Sequence, residues 1–197
     1  SSTDAVDNYP KWLETRENLR GLVTKLINAK TSQIAFVKNT SEGLNILASG
    51  LTWHPGDRII LADCEFPSNV YPFLNLKKYG VEIDFVKNKN GFLDVADFEQ
   101  LITPRTRLLS GSFVEFGNGC KNDLQALGEL CRSHGIIFCV DSIQGLGAVP
   151  LDVEDSQIDY LANGGHKWLM GPAGIGLIYV RDNLFDKINL QHVGWLS

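Results

Sequence analysis

Residues 159–180, DYLANGGHKWLMGPAGIGLIYV, decide how the rest of the chain is read. A short apolar run, Tyr160-Leu161-Ala162, leads to Gly164-Gly165, and His166-Lys167 follow at once. Gly171-Pro172 and Gly174-Ile175-Gly176 then turn the chain into a second apolar run, Leu177 to Val180. Lysine is strongly hydrated, so one set among glycines between two strand-like runs is unusual. Desolvation favours a neutral amine, the form that condenses with a carbonyl. Two readings are open here: a Schiff-base lysine, or a loop lysine in a strand–turn–strand. Taken alone the stretch supports the plainer one, and the remainder of the chain reverses that.

The chain has 197 residues, enough for one domain with a substantial core. Eighteen basic against 23 acidic residues give a net charge of −5, and no Lys/Arg cluster is large. Nucleic-acid and anionic-membrane binding therefore have no electrostatic footprint. No apolar run approaches the ~20 residues of a membrane span, and SSTDAVDNYP does not read as a signal peptide. The cysteines, Cys64, Cys120, Cys131 and Cys139, form no CxxC pair. This usage fits reduced thiols in a cytoplasmic protein, with Cys131 and Cys139 as core residues and no metal site.

Working outward, residues 9–28 space their apolar positions as an amphipathic helix, and 33–38 (QIAFVK) reads as a strand. Asn39-Thr40-Ser41-Glu42 follows, a capping pattern ahead of a helix marked by Leu44, Leu47, Ala48 and Leu51. A strand passing through polar residues into a helix N-terminus is a way to hold phosphate, because free N–H groups and the helix dipole face the anion. Any capped helix looks the same, so this signal needs company. Strands are expected near 33, 58, 81, 106, 136, 158 and 175, with further helices at 68–79, after Asp94 and over 124–135. The fold class is therefore α/β, with a mainly parallel seven-stranded sheet covered by helices on both faces. In such sheets ligands sit beyond the carboxyl ends of the strands. Every polar cluster singled out here falls at such an end.

Asp141 closes the apolar run Ile136 to Val140. Aspartate is rarely buried without a partner, and a protonated pyridine nitrogen would be a suitable one. A helix cap is the plainer explanation. Lys167 follows 26 positions later, and the phosphate-type junction precedes both. Anion site, ring-nitrogen acid and aldehyde-condensing lysine are together what pyridoxal 5′-phosphate requires.

With those residues in view, the chain resembles the class V aminotransferase superfamily of fold-type I pyridoxal-phosphate enzymes. That group includes cysteine desulfurases, isopenicillin N epimerase-like proteins and kynureninases. The resemblance runs from about Gln33 to Val180. It is carried by Asp141-Ser142-Ile143-Gln144, by Gly165-His166-Lys167-Trp168 with Gly171-Pro172-x-Gly174-x-Gly176, and by Thr40-Ser41-Glu42-Gly43. It implies that Lys167 bears the cofactor and Asp141 binds its ring nitrogen. It also implies that Gln144 bonds the phenolic oxygen, that Ser41, Thr40 and His166 hold the phosphate, and that Phe66 stacks on the ring. It further implies an amino-acid substrate, a homodimer, and a smaller second domain beyond residues 1–197 that supplies an arginine; Arg181 does not match that position.

Some positions depart from the desulfurase pattern. Phe66 stands where those enzymes stack a histidine, Gly164 where they carry a serine, and about Phe116 where they often have an asparagine. Cys64 and Cys120 do not match the position of their sulfur-accepting cysteine. His54, His134 and His192 have no ligand-like spacing and read as loop or surface residues. Transamination, elimination or desulfuration, and epimerisation all share the cofactor's first steps, so the reaction stays open. The alternatives are a non-catalytic doubly wound binding domain, for which no GxGxxG or GxxxxGK[ST] is present, and a relic that binds the cofactor without catalysis.

Overall fold

The computed structural model describes residues 2–191 and 193, so the expectation for His192 lies outside the described residues. Seven strands form one sheet: β1 (Ile34–Val37), β2 (Arg58–Ala62), β3 (Glu82–Val86), β4 (Thr106–Ser112), β5 (Ile137–Asp141), β6 (Tyr160–Gly164) and β7 (Gly176–Val180). Their order is β1-β7-β6-β5-β4-β2-β3. The neighbouring pairs from β3 across to β6 are all parallel, whereas β7 runs antiparallel to both β6 and β1. Each expected strand is present within a few residues of its place.

Alternation along the central strands sorts their side chains into two cores. Ile59, Leu61, Leu108, Cys139, Tyr160, Ala162, Ile178 and Val180 face helix α2 (Thr40–Gly50), which contributes Leu44, Leu47 and Ala48. Ile60, Ala62, Leu109, Phe138, Val140, Leu161, Leu177 and Tyr179 face the other way. There they meet Val23 and Ile27 of α1 (Ser2–Ile27), Phe98 of α4 (Val95–Glu99), and Leu124, Leu127 and Cys131 of α5 (Leu124–His134). Gly135 ends α5 in the left-handed conformation, as its place after the apolar periodicity predicts.

Two helices differ from expectation. Helix α1 starts earlier than residue 9 and buries only Val23 and Ile27 of its apolar stripe, leaving Trp12, Leu19 and Leu26 exposed. The helix expected over 68–79 is broken into a 3₁₀ turn (Pro67–Asn69), the short α3 (Tyr71–Leu74) and a second 3₁₀ turn (Asn75–Tyr79). Pro67 and Pro72 carry no amide hydrogen, so neither can join a continuous helical ladder.

Candidate active site

The carboxyl ends of β1, β2, β4, β5 and β6 lie along one edge, and the expected site residues follow those ends. After β1, Asn39 caps α2, its Oδ1 accepting the Glu42 amide at 2.9 Å, while Glu42 Oε2 accepts the Lys38 amide at 2.5 Å. Close approach sets this turn against the sheet. A Cβ at Gly43 would stand 2.7 Å from Ile178 Cγ2 and 3.0 Å from Ala162 Cβ, and one at Gly176 would stand 2.4 Å from the Asn163 carbonyl oxygen. The Tyr160 hydroxyl donates to the Gly43 carbonyl at 2.6 Å and fixes the same turn. Within it Thr40 Oγ1 is buried without a hydrogen-bond partner. The Ser41 hydroxyl bonds that of Ser68 at 2.9 Å.

Asp141 ends β5 and is 2 % exposed. It does not cap a helix: its Oδ1 accepts the Ile143 amide at 3.0 Å, and its Oδ2 has no partner. Burial pushes its carboxyl up to about 7; the Ile143 bond opposes the shift, the nearby Glu65 carboxyl adds to it, and the Lys167 ammonium opposes it. Lys167 follows β6 and is half-buried, with Nζ 5.7 Å from the centroid of the Phe66 ring. His166 is exposed, and its ring folds over Gly164, where a Cβ would lie 3.1 Å from Cε1. Gln144 is half-buried in the turn after Asp141. Asp141, Lys167 and Phe66 are thus brought together. Gln144 and His166 lie on the neighbouring turns and make no side-chain hydrogen bond among the described residues.

Beside this lies a polar network that the sequence did not reveal. Glu65, just past β2, accepts the Ser112 amide at 2.7 Å and the Ser112 hydroxyl at 2.6 Å. Asn122 donates to the Ser112 carbonyl and to Glu115 Oε1, both at 2.8 Å. Ser112 pairs with Asp141 across β4 and β5. Burial, then the neighbouring Glu65 charge, pushes Glu115 up to about 7. Burial also raises the Glu65 carboxyl and takes the Cys64 thiol up to about 12, which disfavours its thiolate. Cys131 and Cys139 are buried with thiols likewise raised, as core residues should be. The one available signal was a repeated Glu-Phe dipeptide, 65–66 and 115–116, after two different strands.

Arg181 lies at the far edge, following the antiparallel β7. It donates to the Ile158 carbonyl at 2.9 Å and the Val153 carbonyl at 3.2 Å, so it is not available to a ligand above Lys167. A cavity of about 750 Å³ is lined by Leu26, Asn122, Leu124, Leu151 and Ser156, among others, and touches none of the expected site residues. A smaller one of about 340 Å³ is bordered by Ser41, Ser68 and Tyr71. We take the strand ends as the site, because Thr40 Oγ1, Glu115 Oε2 and Asp141 Oδ2, all buried and without a hydrogen-bond partner, lie there. Among the described residues no group of histidines, cysteines and carboxylates could hold a metal ion, and no helix is long and apolar enough to cross a membrane.

Comparison with known families decides what this arrangement belongs to. The family model for aminotransferase class-V matches residues 10–194. The chain belongs to the class-V aminotransferases. Among relatives of this class-V chain, a probable cysteine desulfurase of Pyrococcus abyssi is 38% identical over 182 residues, covering 90% of this chain and 45% of the relative. A probable cysteine desulfurase of Methanothermobacter thermautotrophicus is 34% identical over 185 residues, covering 93% and 45%. The apo cysteine desulfurase of Thermococcus onnurineus superposes with a TM-score of 0.87 at 34% identity, over 91% of this chain and 46% of that one. The cystine C–S lyase C-DES, solved with its product cysteine persulfide, gives 0.89 at 28% identity, over 100% and 55%. Another C-DES structure carries glycine covalently linked to its pyridoxal-phosphate cofactor. The class-V chain spans about half the length of these relatives. Pyridoxal phosphate is the cofactor of the family, and the fold-type I architecture expected from the sequence is the one found.

Proposed function

We propose that this chain is the cofactor-binding large domain of a pyridoxal-phosphate enzyme that cleaves a carbon–sulfur bond in an amino acid of the cysteine or cystine type. The observation that carries the reading is Asp141: a fully buried carboxyl with one oxygen unpartnered and Lys167 as the cation acting on it. A cationic ring N–H is the kind of group that satisfies such an oxygen. The orphaned Thr40 hydroxyl, the Ser41 hydroxyl and the amides opening α2 fit a phosphate in the same way. Bound here, pyridoxal phosphate supplies an electron sink that makes the Cα–H of an attached amino acid acidic.

In this reading Asp141 would face the ring nitrogen as a carboxylate and favour its protonated form. Lys167 would hold the cofactor through its amine and would be placed to move the proton at the substrate's Cα. Phe66 would stack on the ring, Gln144 would donate to its phenolic oxygen, and His166 would add a phosphate contact. Phenylalanine at position 66 has no proton to give, so Lys167 takes the proton transfers that a histidine there could share. The names of the relatives favour sulfur chemistry over transamination or epimerisation. The full protein is proposed to be a cytoplasmic homodimer.

The test has two parts. Purified protein is mixed with pyridoxal phosphate, reduced with borohydride and mapped by mass spectrometry; the label is expected on Lys167 alone, and a Lys167→Ala variant that still fixes label would refute the assignment. The full-length protein is then given cysteine, cystine and a panel of other amino acids. Sulfide or persulfide from the first two is expected, and keto-acid formation without sulfur release would replace the proposed reaction.

A further inference from the structure

Phe66 and Phe116 are 40 % and 49 % exposed, unusual for two phenylalanines at the edge of a well-packed sheet. They touch each other edge to face, with centroids 5.1 Å apart and planes at 77°. Each directly follows a buried glutamate. Glu65 and Glu115 converge on one polar network, joined through Ser112 and Asn122 by the four hydrogen bonds already described. Further contacts stiffen both turns. The Ser110 hydroxyl donates to Asn69 at 2.6 Å behind Phe66. Behind Phe116, the Glu115 amide donates to the Cys120 carbonyl at 2.8 Å, and Asn118 donates to the Gly91 carbonyl at 2.7 Å. Two residues far apart in sequence therefore have their backbones fixed from below while their rings stand free above.

Burying two carboxyls is costly unless they are well hydrogen-bonded, and among the described residues neither has a cation bonded to it. A simple structural joint between β2 and β4 would not need both. What the pair of Glu-Phe dipeptides does achieve is a fixed angle between two rings, one of which faces Lys167 Nζ at 5.7 Å. We propose that the two dipeptides form an aromatic bracket in which Phe116 is a positioning residue: its edge-to-face contact locks the plane of Phe66, so that the ring offered to the cofactor is preorganised. This rests on the reading that Phe66 stacks on pyridoxal phosphate. An edge-to-face pair adds roughly two- to twelvefold in an equilibrium constant. Preorganisation should also appear in the geometry of the bound state.

The experiment uses purified protein with pyridoxal phosphate and the variants Phe66→Leu, Phe116→Leu and the double variant. The dissociation constant of the cofactor is measured, together with the circular dichroism induced in its visible band, which reports ring orientation. Both side chains are substantially exposed, so the variants should fold; thermal unfolding checks this. Phe116→Leu is expected to weaken binding roughly two- to twelvefold and to change the induced dichroism per bound cofactor. The double variant is expected to bind no worse than Phe66→Leu, and Phe116→Tyr should restore the wild-type signal. An effective Phe66→Leu with a silent Phe116→Leu, or additive losses in the double variant, would overturn the bracket alone. A silent Phe66→Leu would overturn the stacking reading on which it rests, and the bracket with it.

Discussion

Replacing Asp141 by Asn should make the cofactor-free protein more stable at alkaline pH while harming its function. The carboxyl is fully buried, and burial lifts it from 3.8 to about 7. A carboxyl raised in this way binds a proton more tightly folded than unfolded. Its contribution is therefore present at acidic pH and is lost as pH climbs from about 4 through 7. Roughly three pH units at about 1.4 kcal/mol each give about 4 kcal/mol of destabilisation by pH 8. Asparagine has nothing to ionise. It keeps the acceptor for the Ile143 amide but places an NH2 where Oδ2 already lacks a partner, at a cost of about 1–3 kcal/mol. The net gain at pH 8 is then about 1–3 kcal/mol, shrinking toward zero or reversing at pH 5. Urea denaturation of both apo proteins at the two pH values measures it. A stability difference that does not change with pH would mean that Asp141 is not a strained buried acid. With cofactor added the order should invert: Cα–H exchange of a bound amino acid should fall by orders of magnitude in the variant, each tenfold being about 1.4 kcal/mol of barrier.

Gly43→Ala forces a Cβ to within 2.7 Å of Ile178 and 3.0 Å of Ala162, an overpacking of about 1–3 kcal/mol that outweighs the ~1 kcal/mol of helix propensity gained. Its melting temperature and its affinity for pyridoxal phosphate should both drop, and an unchanged affinity would detach α2 from the cofactor. Ser112→Ala removes a 2.6 Å bond to a buried carboxyl and should cost about 1–3 kcal/mol in denaturant titration. A loss near zero would show that Glu65 finds another donor.

The strands were legible because their apolar runs are short and bounded by turns, and the two-core alternation of 59–62 and 177–180 follows from period two alone. Asp141 and Lys167 stand out in the sequence for another reason: one closes an apolar run and the other sits among glycines between two such runs, and their roles toward the cofactor belong to the proposal above. The break in 68–79 was hidden because Pro67 opens the segment, where proline is tolerated, and Pro72 interrupts it only after one further turn. The exposure of Trp12, Leu19 and Leu26 was hidden because helical spacing marks a face without saying what covers it. The network of Glu65, Ser112, Asn122 and Glu115 was the least accessible, since Glu65 follows β2 whereas Ser112 ends β4 and Glu115 and Asn122 follow it, and they meet only when β2 and β4 pair. Gly164 stands where desulfurases carry a serine, and in the structure the His166 ring occupies the space above it.

The pairing of β1 with β7 has a consequence for assembly. Ile34 lies opposite Tyr179, 145 positions along the chain, and among the described residues β1 has no other strand beside it. Closing so long a loop is entropically slow, and contacts of this range form late. Residues 39–41 are anchored by that pairing and by the approach of Gly43 and Gly176. A chain emerging from the ribosome would therefore hold β2 to β6 together before Thr40 and Ser41 reached the edge where Lys167 and Asp141 lie. Cofactor capture would then be among the last events of folding, and pyridoxal phosphate present during refolding should slow unfolding more than it speeds the first burial of core.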